Sequence, residues 1–436
     1  MSILFANATV VTMDPARPVL TDAFVAVEGS KILSVGTARP AGEFDRVVDC
    51  AGKVMMPGLV NAHTHVPMTL MRGYGGGCDL HTWLNKYIFP AEAKLDDRCV
   101  AAGAALGLAE MIASGTTCIA DMYMNTETIA QTVLDAGISA NLACGAVYFG
   151  DPADFSPEKC NDCGNHIRLY ENWHNAGDGQ IKVDASIHAE YTSCPPAWEW
   201  VADFAQKHGL GMHVHVSETL SEHEKCIEKY GTTPAQLLDK YGVWQNGGIA
   251  AHCVYLSGGD AELFAKRGVT AVHNPVSNLK LMSGVAPLFF LRECGMSVAL
   301  GTDGVASNNS HNIFEEMKVA ALIQNYSFGE DHGQLSAADI LAMATVNGAR
   351  ALRRNAGVIA PGKIADLILV DFTAPNLFPC HDIMENLVYS AAPSNVVMNM
   401  ARGKIIYENG TFLTLDMDRI RAEVSNYALP HIFEEK

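Results

Sequence analysis

Positive charge is what this 436-residue chain has least of: 30 lysines and arginines face 48 aspartates and glutamates, a formal net charge of −18. A phosphate backbone or an anionic bilayer needs a basic face, so nucleic acid and membrane surfaces are excluded as partners. Long apolar runs are missing as well. No stretch of about 18 apolar residues exists to span a bilayer. Met1-Ser2-Ile3-Leu4-Phe5 has neither a basic region nor a small-residue cleavage site, so a cytoplasmic protein without a signal peptide is expected. No GxSxG elbow is present for a serine nucleophile. Gly73-Tyr74-Gly75-Gly76-Gly77 lacks the GxGxxG spacing of a dinucleotide site. The 12 cysteines are scattered without framework spacing, which suits a reducing compartment. Cys160-Asn161-Asp162-Cys163 is a lone CxxC followed by His166. With no second pair to complete a zinc set, it reads as a surface-loop coincidence.

What remains is the composition of a compact enzyme, with 38 glycines and only 18% charged residues. The first fifty residues read as short strands, Ile3–Met13, Ala23–Glu28 and Lys31–Gly36, with Gly29-Ser30 as a hairpin turn. The last eighty return to that style at Ala365–Val370, Val396–Met400 and Lys404–Tyr407. Two β-rich ends predict one small β-sandwich built from residues 1–54 and 357–436. Between them, over residues 55–356, apolar runs ending near His65, Asp121, Val147, His188, His215, His252, His273 and Gly301 alternate with helical patterns such as Asp97–Ser114 and Pro196–His208. Eight strands alternating with helices predict an α/β fold, a parallel (β/α)8 barrel of the TIM type, with an open doubly wound sheet as the alternative.

The most informative stretch is His63-Thr64-His65, at the end of the apolar run Val54–Ala62. Histidines at i and i+2 on a strand share one face and can take two corners of one metal ion. The fifth strand, Met212-His213-Val214-His215, ends in the same pattern, with Glu218 three residues on. His215 is favoured as the ligand and His213, deeper in the strand, as a satisfied barrel residue. Asp303 follows the eighth strand between glycines and reads as a fourth ligand or a proton acceptor. His188, His252 and His273 end three further strands and read as substrate or transition-state contacts. Three histidines and one carboxylate suit zinc with a position left for water. Zinc lowers the pKa of water from about 15.7 to about 7, on the order of 12 kcal/mol toward hydroxide at neutral pH. Lys182 lies at the start of its strand and His188 at the end, so a lysine bridge to a second ion is not expected. His188-Ala189-Glu190 lacks the PCxxC partner of the zinc nucleobase deaminases on another fold.

Pro57-Gly58-Leu59-Val60-Asn61-Ala62-His63-Thr64-His65, Pro90-Ala91-Glu92-Ala93-Lys94-Leu95, His215-Val216-Ser217-Glu218, Ala251-His252-Cys253 and Gly301-Thr302-Asp303-Gly304 resemble the amidohydrolase superfamily, and within it the 5-methylthioadenosine/S-adenosylhomocysteine deaminases. The resemblance extends to Gly362-Lys363-Ile364-Ala365-Asp366-Leu367 and so covers almost the whole length. It implies one zinc, or iron, held by His63, His65, His215 and Asp303. Glu218 then carries a proton to purine N1, His252 holds and polarises the attacking water, and Asp303 takes the water's proton. Glu92 bonds the ribose hydroxyls and His188 contacts the sugar. The expected substrate is a small nucleoside, deaminated to the inosine analogue with release of ammonia, by a chain that assembles as a homo-oligomer. A free base such as guanine, or a triazine, is the alternative substrate. One departure stands out. Members that accept S-adenosylhomocysteine carry arginines after strand three, whereas Ala143–Asn165 has none and the nearest is Arg168. Neutral 5′-groups are therefore expected to be preferred.

Overall fold

The computed structural model describes residues 1–434 and places an eight-stranded parallel barrel against a sheet made from both chain ends. In barrel order the strands are Leu59–Thr64, Thr116–Met122, Ser139–Ala143, a fourth split into Ile181–Val183 and Ala185–Ser186, then Met212–Val216, Gly248–His252, Val269–His273 and Ser297–Leu300. The split at Asp184 divides the ladder into sets of four and five strands. Asp184 N to Leu142 O (3.0 Å) and Ala185 N to Gly211 O (2.9 Å) carry the fourth strand across it. Closure comes from the parallel bridge Thr64–Asp303 and the bond from Asp303 N to His63 O at 3.0 Å. Gly301 permits that approach, because a Cβ there would lie 2.5 Å from Asn274 Oδ1 and 2.8 Å from His63 N.

Buried Val60, Ala62, Cys118, Ala120, Ile249, Val272 and Ala299 come from five strands that follow one another round the barrel, the sixth to eighth and then the first and second, and form a cluster of their own with Ala349, Leu352 and Ala356. The helix Val346–Ala351 and the turn after it therefore pack on the barrel at its N-terminal opening.

The run Val54–Ala62, expected as one strand, is two. Lys53–Pro57 pairs with Leu367–Asp371 and belongs to the terminal sheet, while Leu59 begins the barrel. Gly58 is the break: a Cβ there would sit 2.2 Å from the Thr117 side chain. The boundary between the units therefore falls at Gly58, not between 54 and 55. The sandwich expected from the two ends is hydrogen-bonded as one nine-stranded sheet, Ser2–Val11 and Val19–Glu28 at one side and Val396–Ala401 and Lys404–Glu408 at the other. Alternation along it separates two cores. Ile3, Phe5, Val25, Met55, Leu367 and Leu369 pack on one another, whereas Val11, Val54, Met56, Ile368 and Val370 join the main core.

The expected helices are present, among them Asp97–Ala113, capped by the Asp96 side chain on Cys99 N at 2.8 Å. Two others, Asn161–Trp173 and Leu220–Tyr230, are built mostly from polar residues and were not anticipated. Cys160 caps the first of these and Cys163 lies inside it, so the CxxC opens a helix instead of sitting in a loop. It joins no metal-competent group among the described residues. His166 accepts from Ser186 N at 3.1 Å and is structural. The third strand ends at Ala143, short of Val147, although Ala146 still bridges Ile187. No helix of the described residues is long and apolar enough to cross a membrane.

Candidate active site

Strands one, five and eight bring His63, His65, His215 and Asp303 to the C-terminal mouth of the barrel. His65 Nδ1 bonds Met122 O at 2.5 Å and His215 Nδ1 bonds His188 O at 2.7 Å. A backbone carbonyl only accepts, so each Nδ1 carries the proton and each Nε2 presents a lone pair. These two Nε2 atoms lie 3.2 Å apart. His63 Nδ1 is tied to His213 Nε2 at 2.8 Å, which aims His63 Nε2 at the same point; that atom is buried and has no hydrogen-bond partner. Asp303 Oδ1 stands 3.3 Å from His65 Nε2 and 3.6 Å from His63 Nε2. His63, His65 and His215 form one group with donor atoms within 4.8 Å of one another, and His63, His252 and Asp303 form another.

An orphaned imidazole nitrogen, two further lone pairs and a carboxylate converging on one point fit a divalent cation with nitrogen and oxygen preference. Protonation states agree with that fit. Burial pushes His63 down to about 3, so its ring is neutral. Burial also lowers His65, but Asp303 outweighs it and lifts His65 to about 9. Ligands bind deprotonated, so a cation here takes the place of that proton. Burial raises Asp303 too, yet the adjacent His63 and His65 rings hold it well below the usual carboxylate range. Ser277 Oγ (2.6 Å) and Ser307 Oγ (2.9 Å) donate to its Oδ2, and Gly304 N (2.7 Å) to its Oδ1.

Asp303 (φ 62°), His252 (φ 72°) and Ser217 (φ 49°) all adopt left-handed backbone, a conformation that side-chain-bearing residues keep only where the surroundings impose it. His252 donates from Nδ1 to Asn278 Oδ1 at 2.8 Å, leaving Nε2 3.7 Å from Glu218 Oε2. Glu218 Oε1 accepts from Ser283 Oγ at 3.1 Å. Burial raises the Glu218 carboxyl above its ordinary value. A raised carboxyl facing His252 and the donor set is placed to exchange a proton with a bound substrate.

A cavity of about 540 Å³ opens beside these groups, lined by His65, His215, Glu218, His252 and Asp303 at its floor and by Glu92 and His188 on its sides. The outer wall is apolar and aromatic, with Leu80, Trp83, Phe89, Met124, Val147 and Phe149. Glu92 closes the short helix Phe89–Glu92; burial raises its carboxyl, and the Tyr123 hydroxyl and His65 beside it lower it. His188 is pushed down to about 4 by burial and is neutral. His273, expected at the mouth, does not line the cavity; it is buried and neither ring nitrogen has a partner. Asn274 and the helix Pro275–Lys280 follow directly and turn the chain over it. Sequence reasoning missed Tyr123, Asn278, Ser277, Ser283 and Ser307, because isolated serines, tyrosines and asparagines carry no spacing that marks them. His213 is buried in the barrel as expected but is not fully satisfied: its Nε2 orients His63, and its Nδ1 has no partner.

A barrel with this donor set at its C-terminal mouth defines a metal-dependent hydrolase of the TIM-barrel class. The chain belongs to the amidohydrolase family, whose model matches residues 54–406. It is 42% identical over 430 residues to a 5-methylthioadenosine/S-adenosylhomocysteine deaminase of Caldanaerobacter subterraneus subsp. tengcongensis, covering 98% of both chains. It is 41% identical over 427 residues to a 5′-deoxyadenosine deaminase of Methanosarcina acetivorans, covering 98% of this chain and 97% of the relative. Among solved structures, an adenosine deaminase from Xanthomonas campestris with bound zinc superposes with a TM-score of 0.91 at 33% identity, over 97% of each chain.

Proposed function

We propose that this chain is a zinc-dependent hydrolytic deaminase of adenosine-type nucleosides such as 5-methylthioadenosine, 5′-deoxyadenosine and adenosine. The observation that carries the reading is the placement of Glu92 and Glu218 in one cavity with the His63, His65, His215 and Asp303 donor set. Those four residues would hold the ion. When bound, zinc lowers the pKa of water from about 15.7 to about 7, which makes a nucleophile available at neutral pH. Glu218, its carboxyl raised by burial, delivers a proton to ring N1 as water adds to C6. Asp303, which accepts from Ser277 and Ser307, takes one of the water's protons and passes it to the exocyclic amine, which leaves as ammonia, and the water's second proton returns Glu218 to its acid form. His252, its tautomer set by Asn278, keeps Nε2 directed at the reacting oxygen. Glu92 accepts from the ribose hydroxyls and neutral His188 contacts the sugar.

The same cavity bears on the 5′-group. Its charged lining residues are Glu92, Asp162, Glu218 and Asp303, and among the described residues no lysine or arginine lines it. A carboxylate on the 5′-substituent would be desolvated there without a cationic partner. Neutral substituents are therefore favoured over S-adenosylhomocysteine.

Ammonia release from a panel of these nucleosides, with guanine and a triazine beside them, tests the reading. Methylthioadenosine should give a higher kcat/KM than S-adenosylhomocysteine. Glu92→Gln should raise KM for nucleosides by about tenfold, from loss of a charge-assisted bond, and leave a free base unaffected. Turnover confined to guanine or a triazine would replace the nucleoside reading with the free-base one.

A further inference from the structure

Glu222 lies in the first turn of the helix Leu220–Tyr230 and forms a capping box with Thr219. In such a box the carboxylate returns to the N-cap N–H. Here that contact, Thr219 N at 3.4 Å, is the longest of three. The shorter ones reach further back, to Ser217 N at 2.7 Å and Glu218 N at 2.8 Å. Glu222 is buried, and Ser217 holds the left-handed φ of 49°. A serine keeps that conformation only if its neighbours impose it. Ser217 O accepts from Val254 N and Tyr255 N at 3.1 Å and Ser217 Oγ meets His223 Nδ1 at 3.1 Å, but the N–H groups of Ser217 and Glu218 are both held by Glu222, and what the turn carries is Glu218.

We propose that Glu222 is a positioning residue for Glu218: its carboxylate, held on the N–H groups of Ser217 and Glu218, sets the turn that carries the proton carrier. The proposal rests on the proton-carrier role given to Glu218 above. It is tested with full-length zinc-loaded protein on methylthioadenosine, comparing E222Q, E222D, E218Q and the double variant E222Q/E218Q.

Gln at 222 turns an N–H toward a backbone N–H, so kcat should fall about 10–100-fold, the scale of a 1 Å misplacement. KM should stay within about threefold and zinc content should be unchanged, because no ligand has moved. The double variant should be no slower than E218Q, since Glu222 acts through Glu218. Full kcat in E222Q, or a double variant slower by the product of both losses, would overturn the proposal. If E222Q does not fold, E222D decides: it keeps the charge but retracts from Ser217 N, so full kcat there is equally fatal. Should the wild-type chain deaminate no nucleoside, the proposed function fails by itself. Glu222 is then judged from a crystal structure of E222Q, in which an unmoved Glu218 overturns the inference and a displaced one supports it.

Discussion

The two openings of the barrel bury polar groups in opposite ways. At the closed end, Arg354 donates to Asn141 Oδ1 (2.8 Å) and to the carbonyls of Ala140 (2.6 Å) and Gly179. Asp184 accepts from Asn141 Nδ2 at 2.7 Å and pairs with Arg353. At the mouth, His63 Nε2, Asp121 Oδ2, Tyr123 Oη and Glu190 Oε2 are buried without partners. Ser217, His252, Cys253 and Asp303 there adopt left-handed backbone. Each unsatisfied group costs about 1–3 kcal/mol, and for His63 Nε2 a bound cation would offset it. One end of the same barrel is arranged for stability and the other for chemistry.

That contrast can be broken experimentally. Chelation should act on the mouth alone and most severely, abolishing ammonia release and lowering Tm, with both restored by zinc; a ligand at a thousand times its Kd contributes about 4 kcal/mol. Unchanged activity in protein shown by elemental analysis to be metal-free would remove the basis for the proposed chemistry. Next comes Glu218→Gln, expected to lower kcat by about 10²–10⁴ with Tm unchanged, as for loss of a positioned acid–base group. At the closed end the signs should reverse. Arg354→Ala leaves Asn141 Oδ1 and two carbonyls without their donor, and urea unfolding should report a loss of about 3–5 kcal/mol. The folded fraction should keep its kcat, and a selective loss of kcat would show the ends to be coupled.

The smallest effect concerns Asp366, whose backbone carbonyl accepts from Gly58 N and whose Oδ1 accepts from Arg402 N at 2.7 Å. Burial pushes this carboxyl up from 3.8 to about 6, although the Arg402 N–H and Arg354 lower it. A raised folded value means the protonated form favours folding. The contribution is full below about pH 4 and lost as pH rises through about 6, and at about 1.36 kcal/mol per unit it is worth at most about 3 kcal/mol. Asp366→Asn should flatten the pH dependence of unfolding free energy across that window and leave it unchanged elsewhere.

Much of this was legible before any coordinates. His63, His65 and His215 stand at strand ends with i, i+2 spacing, and period-2 alternation dictates that such pairs share a face. The alternation of apolar strands with helices specified the barrel, because parallel strands need crossover helices. Elsewhere local pattern misled. Val54–Ala62 is uniformly apolar, and only the packing of Gly58 on Thr117 divides it between two sheets. His273 has the same position at its strand end as His252, yet one is covered and the other faces the cavity. Residues 161–173 and 220–230 are helices built mostly from polar residues with few buried positions, so their composition resembles that of a loop.

Residue type and spacing by themselves determined which atoms can hold a cation and that a barrel would present them, since both follow from short-range geometry and valence. Tertiary structure decided the rest: which imidazole nitrogen carries the proton and which histidines reach the cavity. Those properties depend on burial and on partners far away in the chain, such as Met122 O for His65 and Asn278 for His252. No local pattern encodes a hydrogen bond whose two ends meet only after the barrel has closed.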